Sequence, residues 1–347
     1  MKFIDFFSGI GGFHTGLEKA GMKCIGWCEF DKFAQASYRA MYDTDNLWFG
    51  DDVTKVKGKD LPKADLWTFG FPCQDVSIAG KQKGIKEGTR SGLFYEIMRL
   101  LDECKENKPK WLVCENVKNL LSIDGGTGFL NVIGEMAERG YSIEWKVYNS
   151  KDYGVPQNRE RVYIVGYIGE RGSRGFLPTK RESTTVVKQV GNLRKTSSFG
   201  GNPQTGRVYS TRGIAPTINT CGGGDREPKI LNAIPCLTPD REEKRQNGRR
   251  LKENGEPAFT LTNQDRHGVL INKELESGCK EISIRKLTPK ECWRLQGFTD
   301  EQYERAAAIN SNSQLYKQAG NAVTVNVVEE IGKHIMSVAN EDRGINK

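Results

Sequence analysis

The sequence predicts an α/β fold, a doubly wound and mostly parallel sheet followed by a smaller, irregular, β-rich second domain. Three observations predict it. Apolar runs of strand length alternate with helix-period segments through the first half, each punctuated by glycine, proline or a polar turn. Two of the runs end on reactive side chains: Asp65-Leu66-Trp67-Thr68-Phe69 leads into Gly70-Phe71-Pro72-Cys73-Gln74, and Trp111-Leu112-Val113-Cys114 leads into Glu115-Asn116-Val117. After about residue 170 Gly, Pro, Thr, Arg and Asn dominate as far as Ser283, with only short β-like stretches.

In chain order, residues 3–7 read as a strand, and a helix over 11–19 is closed by Gly21. A strand over 23–28 and an amphipathic helix over 32–41 follow. Strands at 66–69 and 111–114 flank a helix at 91–104; a helix at 129–139 then leads to strands at 143–148 and 162–168. This alternation is the signature of a parallel sheet with crossover helices. Short strands are expected at 207–210 and 258–261. Helices return at 289–296 and 300–308, and a last one, 322–336, is apolar enough to pack on the first domain. The expected division is 1–178 for the first domain, 179–317 for the second, and 318–347 for a segment returning to the first.

A chain of 347 residues has ample core for a large and a small domain without covalent staples. Nine cysteines are scattered with no Cys-x-x-Cys pair, and the three histidines lie far apart, so no metal site is expected. Reduced thiols, the absence of a signal-peptide layout and the lack of a long apolar run point to a cytoplasmic protein that does not enter membranes. Cys24 and Cys28 flank a short apolar strand and read as core. The net charge of +8 is only mildly basic. Its distribution is more telling: from Arg171 to Arg212 the basic residues face the single acid Glu182, an imbalance suited to a phosphate-bearing partner.

A lone cysteine in a strand turn is usually a small buried hydrophobe. Cys73 is instead followed by Gln74 and a long polar loop, at the strand edge where open α/β sheets bind ligands. Glu115 reaches the same edge from the next strand. A thiol and a carboxyl over one crevice can attack a ring carbon and manage a proton on a ring nitrogen, which is cytosine chemistry.

The first strand runs into Phe6-Phe7-Ser8-Gly9-Ile10-Gly11-Gly12, a turn that lets a ligand approach the backbone. The dinucleotide fingerprint needs a third glycine where His14 stands, so the loop suits an amino-acid moiety better than a pyrophosphate. Glu29 ends the second strand, where an acid binds ribose hydroxyls. Asp52 follows the third and can accept from an adenine amino group, while Val53 covers a ring face. These strand ends together describe S-adenosylmethionine on a Rossmann-like sheet.

The chain resembles the DNA cytosine-5 methyltransferases, in particular the compact bacterial and phage enzymes of restriction–modification type. The resemblance rests on Asp5-Phe6-Phe7-Ser8-Gly9-Ile10-Gly11-Gly12, Gly70-Phe71-Pro72-Cys73-Gln74, Glu115-Asn116-Val117, Gln157-Asn158-Arg159-Glu160-Arg161, Arg285-Lys286-Leu287-Thr288-Pro289-Lys290-Glu291 and Gln318-Ala319-Gly320-Asn321-Ala322-Val323, in the family's order. It implies an S-adenosylmethionine-dependent methyltransferase domain with a target-recognition domain, acting as a monomer on double-stranded DNA. A cognate restriction endonuclease acting on the same site is a further implied partner.

The resemblance assigns Cys73 as the nucleophile on C6 of a flipped cytosine. Glu115 would bond N3 and the exocyclic amine, with Arg159 and Arg161 holding Glu115 and Cys73 and neutralising a phosphate. It assigns Phe7, Gly9, Gly11, Glu29, Phe30, Asp52, Val53, Pro72, Leu93, Asn321 and Val323 to the cofactor. DNA contacts fall on Gln74, Ser77, Lys81 and Arg90 in a glycine- and lysine-rich lid, and on Gln204, Arg207, Thr217 and Gly223 in the recognition segment. Arg207 suits guanine O6 and N7, Gln204 the gap beside the extruded base, and Thr217 a phosphate. Ala79 stands where many relatives carry a small hydroxyl residue. Thr260-Leu261 echoes the Thr217 segment, either as a second reading loop or as a strand. Three other readings remain: a transfer RNA cytosine-5 methyltransferase, a catalytically inactive DNA-binding regulator, and a Rossmann dehydrogenase that the broken glycine pattern disfavours.

Overall fold

The computed structural model describes residues 1–71, 92–169, 175–179, 189–192, 207–210, 215–217, 229–231, 234–237, 267–270, 284–286 and 288–342. Its centre is a seven-stranded sheet. Five strands, β1 (Lys2–Phe6), β2 (Lys23–Cys28), β3 (Trp48–Gly50), β4 (Leu66–Phe69) and β5 (Trp111–Val117), are parallel. The chain then makes β6 (Ser142–Asn149), the two-residue β7 (Gln157–Asn158) and β8 (Glu160–Tyr167). Strand β8 inserts antiparallel between β5 and β6, giving the order β3-β2-β1-β4-β5-β8-β6. The expected mostly parallel sheet is therefore present, with one reversed strand. Strand order turns back between β1 and β4, and at such a switch point neighbouring loops part and leave a crevice.

Helices cover both faces of the sheet. Helices α1 (Gly12–Lys19), α2 (Lys32–Met41), α3 (Leu93–Cys104) and α4 (Thr127–Glu138) follow the strands as crossovers. Asp31 starts α2 by accepting from the Phe33 and Ala34 amides, satisfying donors that have no partner inside the helix. One sheet face packs Ile4, Phe6, Trp67, Phe69, Leu112 and Cys114 against Phe94, Ile97, Val132 and Met136. The other packs Phe3, Leu66, Val113 and Tyr163 against Phe13 and Leu17. All four residues of β4 are buried because helices cover both its sides. Strand side chains alternate, so this pattern puts Asp5, Thr68, Glu115 and Arg161 on the same face as Phe3 and Val113.

The β-rich segment supplies β9 (Gln189–Asn192), β10 (Arg207–Ser210), β11 (Ala215–Pro216), β12 (Lys229–Leu231), β13 (Ile234–Leu237), β14 (His267–Leu270) and β15 (Ile284–Lys286). They form a four-stranded sheet β15-β12-β10-β9, a β13–β14 pair, and a β11–β7 pair that joins this segment to the first domain. The expected strand at 258–261 lies outside the described residues.

The chain returns through α5 (Pro289–Arg294), α6 (Asp300–Ala307), α7 (Asn312–Asn321) and α8 (Val325–Asp342). Thr288 and Glu291 form a reciprocal capping box around Pro289, and Thr299 and Gln302 form another. Cys292, Trp293, Leu315 and Ala319 share a core with Ile10 and Met41, so these helices pack on the first domain well before residue 318. Two differences from expectation stand out. Helix α7 carries too few apolar residues to show a hydrophobic stripe; it is fixed by the Ser311 cap and by burial of Leu315, Gln318 and Ala319. The last helix starts at Val325 rather than 322, because Ala322 is extended and Val323 packs on Gly12. A Cβ at Gly12 would lie 2.6 Å from both Val323 Cγ2 and its carbonyl oxygen, so only glycine allows this approach.

Candidate active site

Three strand ends shape the crevice at the β1–β4 switch. After β1 the backbone turns through Phe7 at φ 53°, Gly9 at φ 55° and Gly11 at φ 79°. For a bulky side chain such as Phe7 this left-handed conformation costs about 1–3 kcal/mol, and such strain clusters at functional sites. Beneath the loop, the Tyr42 hydroxyl donates to the carbonyls of Ile10 and Gly11 at 3.2 and 2.9 Å.

At the end of β2, Glu29 accepts from the Gly9 amide through Oε2 (2.8 Å) and from the Asp31 amide through Oε1 (2.7 Å). Burial pushes its carboxyl up, opposed by these two bonds. It therefore fastens the β1 loop to the β2 loop, and each oxygen retains a second lone pair for a ligand. Phe30 is 78% exposed beside it. Asp52 follows β3 and accepts from the Thr54 amide and hydroxyl, bonds that hold its carboxyl below the usual range. Val53 is 5% exposed and packs in the core, leaving little surface for a ligand. Leu93 is half-buried at the start of α3, Asn321 is exposed at the end of α7, and Val323 sits against Gly12. The buried Ser8 hydroxyl has no hydrogen-bond partner among the described residues. An unspent donor, loop amides, an exposed ring and a partly free acid fit a ligand with amino-acid, ribose and aromatic parts.

The catalytic candidates meet beside this crevice. Glu115, near the end of β5, is 8% exposed, and Arg161 Nε lies 3.1 Å from its Oε1. Burial raises the Glu115 carboxyl above its ordinary range, opposed by Arg161 and then Arg159. A Cβ at Gly70 would come 3.5 Å from Oε2, so the second oxygen faces the turn after β4. Asn116 donates through Nδ2 to the Phe71 carbonyl at 3.2 Å, tying that turn to β5. Two residues further on is Cys73. It lies outside the described residues, as do Pro72, Gln74, Ser77, Lys81, Arg90, Gln204 and Gly223.

Arg159 and Arg161 do not act alike. Arg161 pairs with Glu115, whereas Arg159 is 2% exposed and its Nη2 donates to the carbonyls of Gly320 (3.2 Å) and Ala322 (2.8 Å). Thr217, expected on a phosphate, donates its hydroxyl to the Asn158 carbonyl at 2.5 Å. Arg207 is half-buried on β10, hydrogen-bonded to the Tyr209 side chain. Among the described residues the thiols nearest this site are poor rivals to Cys73. Burial pushes Cys24 and Cys28 up to about 12 and Cys114 well above its ordinary range, and Cys114 points to the opposite sheet face from Glu115. Among the described residues no group of three His, Cys, Asp or Glu side chains could hold a metal ion, and no helix is long and apolar enough to cross a membrane.

Asn116 and Asp5 stand in motifs that carry the resemblance, but sequence reasoning gave neither a role. Their signal was a polar residue inside an apolar strand. Asp5 is fully buried below the β1 loop; its Oδ1 accepts from the Thr68 hydroxyl at 2.9 Å, and its Oδ2 has no hydrogen-bond partner among the described residues. Burial raises its carboxyl from 3.8 to about 8, with Thr68 and His14 opposing and Glu29 adding to the rise. Between about pH 4 and 8 the folded protein thus keeps a proton that the unfolded chain releases, so stability falls as pH rises through that window. Asp5→Asn is expected to melt close to wild type at pH 4.5 but to be more stable at pH 8.5, by up to several kcal/mol at ~1.4 kcal/mol per pH unit. Melting curves that stay parallel across this range would refute the assignment.

The sequence matches the family model of C-5 cytosine-specific DNA methylases over residues 1–337. It is 36% identical to the orphan methyltransferase M.SPBetaI of Bacillus phage SPbeta, in an alignment of 440 positions that covers 97% of each chain. It is 33% identical to the type II methyltransferase M.HhaI of Haemophilus parahaemolyticus, over 98% of this chain and 95% of that one. The fold is shared with the Entamoeba histolytica methyltransferase EhMeth (TM-score 0.64, 15% identity, 98% of both chains). It is shared too with a putative DNA modification methyltransferase of an Escherichia coli prophage (TM-score 0.60, 17% identity, 98% and 99% covered). With a doubly wound sheet, a switch-point crevice and a Glu115–Arg161 pair beside it, the chain belongs to the C-5 cytosine-specific DNA methylases.

Proposed function

We propose that this DNA cytosine-5 methyltransferase draws its methyl group from S-adenosylmethionine and works on a cytosine swung out of duplex DNA. The observation that carries the reading is the Glu115–Arg161 pair, facing the β4 turn that runs on to Cys73. Phe7, Gly9, Gly11, Glu29, Phe30, Asp52, Pro72, Leu93, Asn321 and Val323 would hold the cofactor, which supplies an electrophilic methyl group when bound. Glu29 suits the ribose hydroxyls, Phe30 an aromatic face, and the loop amides with Ser8 the amino-acid end.

The chain's own groups divide the remaining work. Cys73 adds as thiolate to C6, and the electron pair displaced from the C5–C6 bond spreads toward N3. Glu115, whose carboxyl burial raises above its ordinary range, donates a proton to N3, and Arg161 keeps the carboxyl aimed there. The enamine carbon C5 takes the methyl group. Loss of the C5 proton to solvent, departure of the thiolate and return of the N3 proton to Glu115 then restore the ring and the enzyme. In the duplex C5 and C6 are shielded by stacking, so the base must leave the stack, at a cost of a few kcal/mol. Gln74, Ser77, Lys81, Arg90, Gln204, Thr217 and Gly223 are the proposed DNA contacts, with Arg207 reading a guanine.

A monomer acting in the cytoplasm, and protection from a restriction endonuclease cutting the same site, complete the proposal. M.HhaI bears the name of a type II enzyme and M.SPBetaI that of an orphan. The test is methyl transfer from labelled S-adenosylmethionine to mixed duplex DNA and, separately, to transfer RNA, with conversion sequencing of the DNA product. The expected result is 5-methylcytosine at one short duplex site that includes guanine. Label confined to transfer RNA, or no transfer at all, would defeat the proposal.

A further inference from the structure

The segment carrying Arg159 and Arg161 touches three parts of the molecule at once. On one side it meets the β-rich segment: β11 pairs with β7, placing Ala215 opposite Gln157 and Pro216 opposite Asn158, and Thr217 donates to the Asn158 carbonyl. On a second side it meets Glu115, through the Arg161 ion pair and the nearby charge of Arg159. On the third it meets the returning chain. The two carbonyls that Arg159 Nη2 holds belong to Gly320 and Ala322, which bracket Asn321.

A buried polar lattice backs this junction. Ser150 donates its amide to the Arg159 carbonyl at 3.0 Å and shares a 2.8 Å hydroxyl contact with Thr324. Thr324 donates to Gln296 Oε1 at 2.9 Å, Gln296 Nε2 donates to the Ala319 carbonyl at 2.7 Å, and Gln157 Nε2 donates to the Leu295 carbonyl at 2.8 Å. Ser150, Gln157, Arg159, Gln296 and Thr324 are each no more than 2% exposed. Polar groups this deeply buried must stay bonded, so the lattice resists gradual deformation and moves as a unit.

We infer that Arg159 is a positioning residue that couples occupancy of the recognition segment by target DNA to the cofactor side of the site, by fixing Gly320 and Ala322 on either side of Asn321. The inference rests on the proposed assignment of Asn321 to the S-adenosylmethionine site. Its chemistry is geometric: the guanidinium holds both carbonyls while its own backbone is pinned through Asn158 and Ser150. A shift of the 157–161 segment when DNA seats on β11 would therefore move Asn321. A lysine at 159 keeps the positive charge near Glu115 but lacks the planar fork.

The experiment is a linkage cycle on the full-length protein, with S-adenosylhomocysteine as probe. Its Kd is measured by calorimetry with no DNA, with the duplex that conversion sequencing identifies as methylated, and with a scrambled duplex. Wild type is expected to bind the probe about fivefold tighter or more with the methylated duplex, and not with the scrambled one. In Arg159→Lys the ratio of the two Kd values is expected to fall below about twofold; the ratio cancels any affinity loss common to both states. Thr324→Val keeps side-chain shape while cutting the Ser150–Gln296 link, and a reduced ratio is expected there too, so the test survives if Arg159→Lys does not fold. A wild-type ratio near one, or an undiminished ratio in the folded variants, overturns the inference. Failure of wild type to bind S-adenosylhomocysteine at all would overturn the cofactor reading first, and the inference with it.

Discussion

Cys73→Ser is expected to abolish methyl transfer, lowering kcat by at least about 10⁴-fold, and to eliminate the covalent complex with duplex DNA carrying 5-fluorocytosine at the target. Fluorine cannot leave C5 as a proton does, so a wild-type enzyme that has attacked C6 stays attached after the methyl group arrives. Geometry supports the choice of thiol. The described chain ends at Phe71, whose carbonyl is held by Asn116 next to Glu115, and two residues span at most about 7 Å. The buried cysteines nearby are the wrong kind of thiol: Cys114, adjacent to Glu115 in sequence, is held protonated by burial on the opposite sheet face. A serine hydroxyl at position 73 is far less ionised at neutral pH than a thiol. Denaturation-resistant adducts that persist in Cys73→Ser would remove Cys73 from the mechanism.

Glu115→Gln is expected to lower kcat by about 10²–10⁴-fold with little change in duplex affinity, because it removes a proton carrier rather than a binding surface. The sign of the pH effect follows from burial. The Glu115 carboxyl is raised, so the protonated, donating form persists above the ordinary carboxylate range and activity declines as pH rises through that raised value. Arg161, whose Nε is 3.1 Å away, limits the rise by favouring the ionised form. The glutamine variant should lose this alkaline limb, since its amide does not titrate. A variant within tenfold of wild type, with the same limb, would show that another group protonates N3.

Much of the site was legible because the chemistry sits at strand ends, and strand ends are marked in sequence. Phe69 closing an apolar run before Gly70, and Cys114 closing another before Glu115, located the two halves of the crevice; β4 and β5 are adjacent and parallel as this requires. Glu29 was legible as a strand-end acid, though not its bond to the Gly9 amide, which depends on a loop twenty residues away. Alternation placed Arg159 and Arg161 on one face. It could not reveal that the chain which Arg159 grips lies some 160 residues later, since contacts of that range leave no local period. Helix α7 was missed for a related reason: its stability comes from a cap and from partners on other elements. Buried Asp5 looked like an interruption of a strand, and its role emerges only from the loop it underlies.

Both stems of the β-rich excursion are moored to the catalytic core. Lys146 and Tyr148 donate to the carbonyls of Leu177 and Pro178 at the exit, and Gln157 donates to the Leu295 carbonyl at the return. Closure of the excursion is thus enforced from outside it, and chain length between fixed ends is thermodynamically cheap: each doubling costs only about 0.6 kcal/mol. The proposed reading segment can therefore be lengthened, shortened or exchanged as a cassette while Glu115 and the proposed cofactor loops stay in place. The alignment with M.SPBetaI, 440 positions against the 347 residues here, already contains at least 93 positions (440 less 347) absent from this chain. A graft replacing everything between the two moorings with a relative's segment should change which cytosine is methylated without rebuilding the machinery that methylates it.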